Sequence, residues 1–402
     1  MSLVLILKLF LLRILKLFFL WIQLIIKAPY SLLSTINEKF EIRKSIGIEH
    51  KHHEDSRKII KPFPLLKLPS LCIQKIFNVS SPRDLIHFSL ISKETYQLLK
   101  AMRVRVNGLA LNEMKNAIIF FDSDEGWYIN VGDFEKDATV HAVINGWKVK
   151  SYMKDTCLYT YTDQSASEFL KFAVHYLIDI FKCHFDHLCF DIDRMKSLSE
   201  IFEYGVSTNV HYLFLEGERP VDNEEMLNFI ERVTVKEMQL VVNLGDTFHC
   251  DPKLFKTEKL TLAINSAQWI KRETLLQFQR LETFSMCLPS ENLLTADDLV
   301  AFVSKWFHSD NRHFTKLAFP ANFTLQDHMF TQFNPRTYDP EERGPVFRWQ
   351  GNFSAIGINC TKGIDILRKD GLLATVLQSD TIIYFLIWHG RFPDVGSLEI
   401  YD

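Results

Sequence analysis

An apolar-x-apolar pair recurs along the second half of the chain, at Leu188/Phe190, Tyr212/Phe214, Met238/Leu240, Leu260/Leu262, Phe284/Met286 and Leu317/Phe319, with offsets of 24, 26, 22, 24 and 33 residues. A period of that length marks stacked supersecondary units, because each is too small to bury its own apolar face and must share a core with its neighbours. Helical patterns lie between several pairs, at Leu198 to Tyr204, Glu224 to Val233, Trp269 to Gln279 and Thr295 to Phe307, the last opened by Thr295-x-x-Asp298. One strand and one helix per unit predicts a parallel sheet within a mixed α/β fold. The array is leucine-rich-repeat-like, although its spacing is looser than the regular repeat and no Asn/Cys ladder position is filled systematically. A doubly wound sheet is the alternative.

Antiparallel strands are expected at both ends of the array. Upstream, Ala117 to Phe121 and Trp127 to Val131 flank Asp122-Ser123-Asp124-Glu125-Gly126, and Thr139 to Ile144 meets Trp147 to Met153 across Asn145-Gly146, a strong two-residue hairpin signal. Ser165-x-x-Glu168 then opens a long helix with Phe169, Phe172, Tyr176, Leu177 and Ile180 on its apolar stripe. Downstream, Pro335 to Pro340 introduces a meander of Gly363 to Arg368, a Lys369-Asp370-Gly371 turn, Leu372 to Leu377 and Thr381 to Trp388.

Composition narrows the function classes. With 402 residues, 47% hydrophobic and 24% charged, the chain is globular, and 46 basic against 49 acidic residues give a net charge of −3 with no global attraction for nucleic acid. The 33 Phe read as core, not as base-stacking platforms. Seven Cys without a CxxC pair speak for a reducing compartment, cytoplasmic or nuclear. Sequons at Asn78, Asn322, Asn352 and Asn359 matter only in a secreted chain. No GxxxxGK[ST], GxGxxG or GxSxG occurs, so neither a phosphate cradle nor a nucleophile elbow is present. The ligand-rich heptad Cys183 to Cys189 reads as a helix-to-strand turn with a semi-buried thiol, not a zinc site, and the His50, His52, His53 cluster as solvated tether. Neither His249 nor Cys250 forms a nucleophile pair by being neighbours in sequence. No catalytic residue, metal or cofactor is expected.

The first 62 residues carry eleven Lys/Arg against five Asp/Glu, beside the most apolar stretch of the chain. Leu3 to Ile26 is long enough to cross a bilayer, with nineteen Leu/Ile/Phe/Val contributing about −6 to −11 kcal/mol, while Arg13 and Lys16 cost about 5 to 7 kcal/mol together. On a helical wheel Lys8, Arg13, Lys16, Gln23 and Lys27 share one arc opposite a broad apolar face, which suits a helix lying on a membrane surface. A signal peptide, or an incidental extension, is the other reading of residues 1–27. Residues 28–61 read as a linker.

Three short helices follow. Pro69 starts one with Cys72, Ile73, Ile76 and Phe77 at helical spacing; Ser81-Pro82-Arg83-Asp84 caps a second carrying Leu85, Ile86 and Phe88; Ser92 caps a third with Tyr96, Leu98 and Leu99. So small a module cannot bury all its apolar residues, so part of that surface is expected to meet a partner. The run FPLLKLPSLCIQKIFNVSSPRDLIHFSLISKETYQLLK closely resembles an F-box. The strand-helix array with Leu294 to Phe319, and the terminal ILRKDGLLATV with the apolar strand ending in Trp388, resemble the type-2 F-box-associated region of nematode F-box proteins.

The resemblance covers roughly residues 62–402 and implies an F-box at 62–103, a small antiparallel region at 104–162, the repeat at 163–320 and a closing meander at 321–402. It further implies that Leu68, Pro69, Ile73, Ile76, Phe77, Leu85 and Phe88 bind a Skp-type adaptor. Through that adaptor the chain would join a cullin-RING ubiquitin ligase and hold a target protein of unknown identity. The rival expectation is a membrane-tethered scaffold with no ligase.

Overall fold

The computed structural model describes residues 65–120, 125–132, 140–144, 147–163, 165–206, 209–245, 247–286, 294–350, 355–396 and 398–401. The apolar segment 1–27, the linker 28–61 and the turn residues at 122–124 and 145–146 lie outside them. The chain divides into two units, Met1–Ile76 and Phe77–Asp402.

In the first unit a 3-10 turn at Leu65–Lys67 leads to helix α1 (Ser70–Val79), which runs on past the division. It starts where Pro69 predicts, the Ile73 N–H donating to the Pro69 carbonyl at 3.2 Å.

The second unit continues with α2 (Pro82–Ser89), where the Ser81 hydroxyl accepts from the Asp84 N–H, and α3 (Lys93–Met102), opened by a reciprocal Ser92/Thr95 capping box. Six strands follow: β1 (Arg105–Asn112), β2 (Ala117–Phe120), β3 (Glu125–Val131), β4 (Val140–Ile144), β5 (Trp147–Lys154) and β6 (Cys157–Thr162). After α4 (Ala166–Ile180), strands alternate with helices: β7 (Lys182–Asp191), β8 (Asn209–Pro220), α5 (Asn223–Arg232), β9 (Thr234–Asn243), β10 (Lys259–Leu262), α6 (Ile264–Ala267), α7 (Arg272–Gln277), β11 (Thr283–Met286), α8 (Ala296–Phe307) and β12 (Lys316–Pro320). The chain closes with β13 (Val346–Gln350), β14 (Ala355–Asn359), β15 (Ile364–Leu367), β16 (Leu373–Ser379), β17 (Ile382–Trp388) and β18 (Glu399–Tyr401).

Fifteen of these strands form one mixed sheet in the order β15-β16-β17-β12-β11-β10-β9-β8-β7-β1-β2-β3-β6-β5-β4. From β7 to β12 the pairing is parallel, as the period predicts, with Leu188, Leu213, Met238, Leu260, Phe284 and Leu317 directly opposite one another. The row continues to Phe385 and Val376 on one side and to Leu111, Ile118, Trp127 and Leu158 on the other. None of these side chains is more than 3% exposed, so one apolar row runs through the sheet.

The expectations for β8 and for two of the helices need correction. The apolar pair on β8 is Leu213/Leu215, not Tyr212/Phe214; a one-residue slip exchanges faces, and the buried row takes the leucines. The segment Leu198–Tyr204 is a 3-10 helix, and the pattern over Trp269 to Gln279 breaks into α7 and a 3-10 turn at Phe278–Arg280. The sheet also runs through the boundaries expected at 162/163 and 320/321, because β1 pairs with β7 and β12 with β17.

Helices cover the leucine face. Tyr204 packs on Phe190 at 5.3 Å between ring centroids, Phe278 stacks on Phe284 at 4.3 Å, Trp306 of α8 meets Phe385 at 5.1 Å, and Phe169 of α4 meets Trp127 at 6.4 Å. A doubly wound sheet would need helices on both faces. Against the C-terminal strands lies a separate three-stranded sheet, β13-β14-β18, and Ile358, Cys360, Leu373, Leu377, Leu386 and Trp388 form the core between them. Among the described residues no helix is long and apolar enough to cross a membrane.

Candidate functional site

The seven residues expected to bind an adaptor separate into two groups. Ile73, Phe77 and Leu85 are buried, Leu68, Ile76 and Phe88 are half-buried, and Pro69 is exposed. Phe77 and Phe88 meet edge to face within the second unit, their centroids 5.5 Å apart. The apolar side chains that do stand in water are Leu71 (63% exposed), Val79 (70%) and Ile91 (43%). Helix-wheel arithmetic was the available signal for two of them. Leu71 and Val79 each lie two positions from a buried residue of α1, about 200° round the helix.

Helices α2 and α3 are fixed to α4 and to the β5–β6 turn by specific bonds. The Tyr176 hydroxyl, on α4, donates to Ser89 Oγ at 2.7 Å, and the Ser89 hydroxyl in turn donates to the Ile86 carbonyl at 2.6 Å. Arg83, buried, donates to the Asp155 carbonyl in the β5–β6 turn at 2.9 Å. On α3, Lys100 pairs with Asp179 at 2.8 Å and the Tyr96 hydroxyl donates to the same carboxylate, while the Tyr96 and Tyr176 rings lie 5.4 Å apart. Burial, then the adjoining carboxylate, pushes the Tyr96 hydroxyl up to about 12. Burial works the other way on Asp179, but the Lys100 ammonium and the Tyr96 hydroxyl hold it below the usual carboxylate range.

The sheet face turned away from the leucine row mixes polar and apolar side chains, with Tyr212 buried in it. Across β7 to β10 it presents His187, Tyr212, Glu237 and Lys259 in one cross-strand row and Cys189, Phe214, Gln239 and Thr261 in the next. The Tyr212 hydroxyl donates to Gln239 Oε1 at 2.9 Å, and the His187 ring lies 5.8 Å from His211. Burial pushes the Glu237 carboxyl up, against the pull of Lys259 and Lys316. Further along the same face, β3, β6 and β5 carry Tyr128, Tyr159 and Tyr152 in line.

The ligand-rich heptad lies within strand β7, not in a helix-to-strand turn, so alternation divides its side chains between two faces. His184 pairs with Asp186 at 3.0 Å, and burial pushes the Cys183 and Cys189 thiols up to about 11, which keeps them protonated and poor as ligands or nucleophiles. Among the described residues no group of three or more His, Cys, Asp or Glu could hold a metal ion. His50, His52 and His53 fall outside those residues.

No family model matches the sequence, and no solved structure matches it. Two Caenorhabditis elegans proteins are similar over most of their length: uncharacterized protein F59B2.8, 25% identical over 358 residues that make up 84% of this chain and 80% of that protein, and uncharacterized protein F59B2.9, 22% identical over 84% and 81%. A third relative from the same organism, E3 ubiquitin-protein ligase hecw-1, is 23% identical over 280 residues, 62% of this chain but 22% of that protein.

Proposed function

We propose that this chain is the substrate-recognition subunit of a Skp-cullin-F-box ubiquitin ligase. The F-box is the helical segment through α3, and the sheet, an irregular leucine-rich-repeat-like array of the type-2 F-box-associated kind, holds the target. The observation that carries the reading is the combination of water-exposed Val79 and Ile91 with the bonds of Ser89 and Lys100 to α4 and of Arg83 to the β5–β6 turn, which fasten α2 and α3 to the rest of the unit. An apolar docking surface fixed to a second face can hold one protein at a set distance from another. Such a receptor contains no catalytic group; the transfer chemistry resides in its partners. The likeness to a protein named as an E3 ubiquitin ligase agrees with a role in ubiquitin transfer.

The test is adaptor affinity by calorimetry, using a Skp-type adaptor and the full chain. Val79→Asp places a charge at a largely exposed position, so circular dichroism should show an intact fold while affinity falls by roughly 2 kcal/mol or more. Unchanged affinity in the folded variant would sink the assignment. The apolar, basic segment 1–27 motivates a second reading, a membrane-tethered scaffold outside any ligase. A chain that fractionates with membranes and retains no adaptor would favour it.

A further inference from the structure

We infer that the open face of β3, β6 and β5 is a docking site for an extended acidic polypeptide segment. Tyr128, Tyr159 and Tyr152 stand opposite one another on these strands, with ring centroids 5.4 and 5.2 Å apart and planes 19° and 18° from parallel. Tyr161 extends the row, 6.1 Å from Tyr152. Trp127 and Leu158, at the alternate positions, face α4 and are buried, so the tyrosines point to the opposite side, where each remains half-exposed. Gly126 contributes to the arrangement. A Cβ there would come within 2.8 Å of Tyr128 Cε2, so a larger residue would shift that ring from its place against the sheet.

Cross-strand tyrosine pairs would stabilise a sheet on their own. The lysines beside them need another reason. Lys148, Lys150 and Lys154 are exposed and share the Tyr152 face of β5, Lys150 lying opposite Tyr161. Asp155, exposed in the β5–β6 turn, partly offsets Lys154, which leaves Lys148 and Lys150 as the main positive charge. These two are about 6.7 Å apart along the strand, the spacing between alternate residues of any extended chain. A segment with acidic residues at alternate positions can therefore set successive carboxylates against the two ammonium groups and against tyrosine hydroxyls.

The chemistry of the rings favours a peptide over a nucleic acid. Stacked on one another, they offer edges and hydroxyl donors, whereas base binding needs free ring faces. The net charge of −3 gives no hint of the patch, because its lysines share a face only once β5 is extended and meet the tyrosines only when β5 pairs with β6. The inference names the class of target for the receptor reading and rests on that reading for its biological role.

The full chain should bind a fluorescein-labelled peptide of alternating Glu and Ser in an anisotropy titration, more weakly as salt is raised. The double variant Lys148→Glu/Lys150→Glu should lose roughly tenfold or more in affinity. Tyr161→Phe, which removes only a hydroxyl, should lose a smaller factor. Three results would overturn the inference: no binding by the wild-type chain, equal binding by the lysine variant, or tighter binding of an oligo-dT of equal charge. Adaptor affinity, measured on the same samples, separates the two proposals. Loss of peptide binding with adaptor binding intact locates the peptide on this face, whereas peptide binding without adaptor binding contradicts the receptor reading alone.

Discussion

Arg343 is wholly buried, and its guanidinium donates four hydrogen bonds. It donates to both Asp365 oxygens at 2.8 and 3.0 Å and to the Cys360 and Gly344 carbonyls, while Thr375 donates to Asp365 and the Trp388 indole donates to Thr375. A fork that meets a carboxylate with two parallel bonds joins β15 and β16 to the loop before β13. Removing one partner strands the other charge in the core, so Arg343→Met should cost about 3 to 5 kcal/mol in urea unfolding, and adding Asp365→Leu should recover part of that loss. A double variant no more stable than the single one would contradict the account. None of this was legible in the sequence. Arg343 and Asp365 are 22 residues apart, and nothing local distinguishes them from surface residues. The Tyr-Leu-Phe-Leu run at 212–215 is a related case: four apolar residues in a row fit either register, and only pairing with Leu188 and Met238 selects the leucines.

At the scale of elements, caps and turns were readable because their chemistry is local. Ser81, Ser92, Ser165 and Thr295 all accept the backbone N–H three residues on, and the strands on either side of Asn145-Gly146 pair with Ile144 opposite Trp147. The attachment of the helices to the sheet depends on long-range pairs, and sequence spacing is silent about those. Tyr176 was expected only as a member of an apolar stripe, yet its hydroxyl bridges α4 to Ser89. Tyr176→Phe keeps the ring and deletes that bond, so it should cost about 1 kcal/mol by chemical denaturation. No measurable change would mean that the packing, not the hydroxyl, holds α2 in place. The same long-range contacts explain the burial of Phe77 and Leu85, both within the larger unit. A module judged by itself lacks the volume to cover them, but α2 and α3 belong to the larger unit with the sheet.

For the whole molecule, the period of the apolar pairs fixed the parallel order of β7 to β12, and the Gly/Asp turns fixed the terminal meander. That the upstream strands and the meander join the same sheet was not evident, because edge pairing is a backbone property without a side-chain signature. The result is a protein that exposes apolar side chains on its helices and tyrosines and lysines on the open face of β3, β6 and β5. The central claim is that the first of these docks a Skp-type adaptor. Amide hydrogen exchange of the full chain, with and without that adaptor, tests it most directly. The claim expects new protection confined to residues 70–102 and strongest around Val79 and Ile91, with the strands of the sheet unchanged. Protection that falls on the sheet and leaves those helices untouched would contradict it.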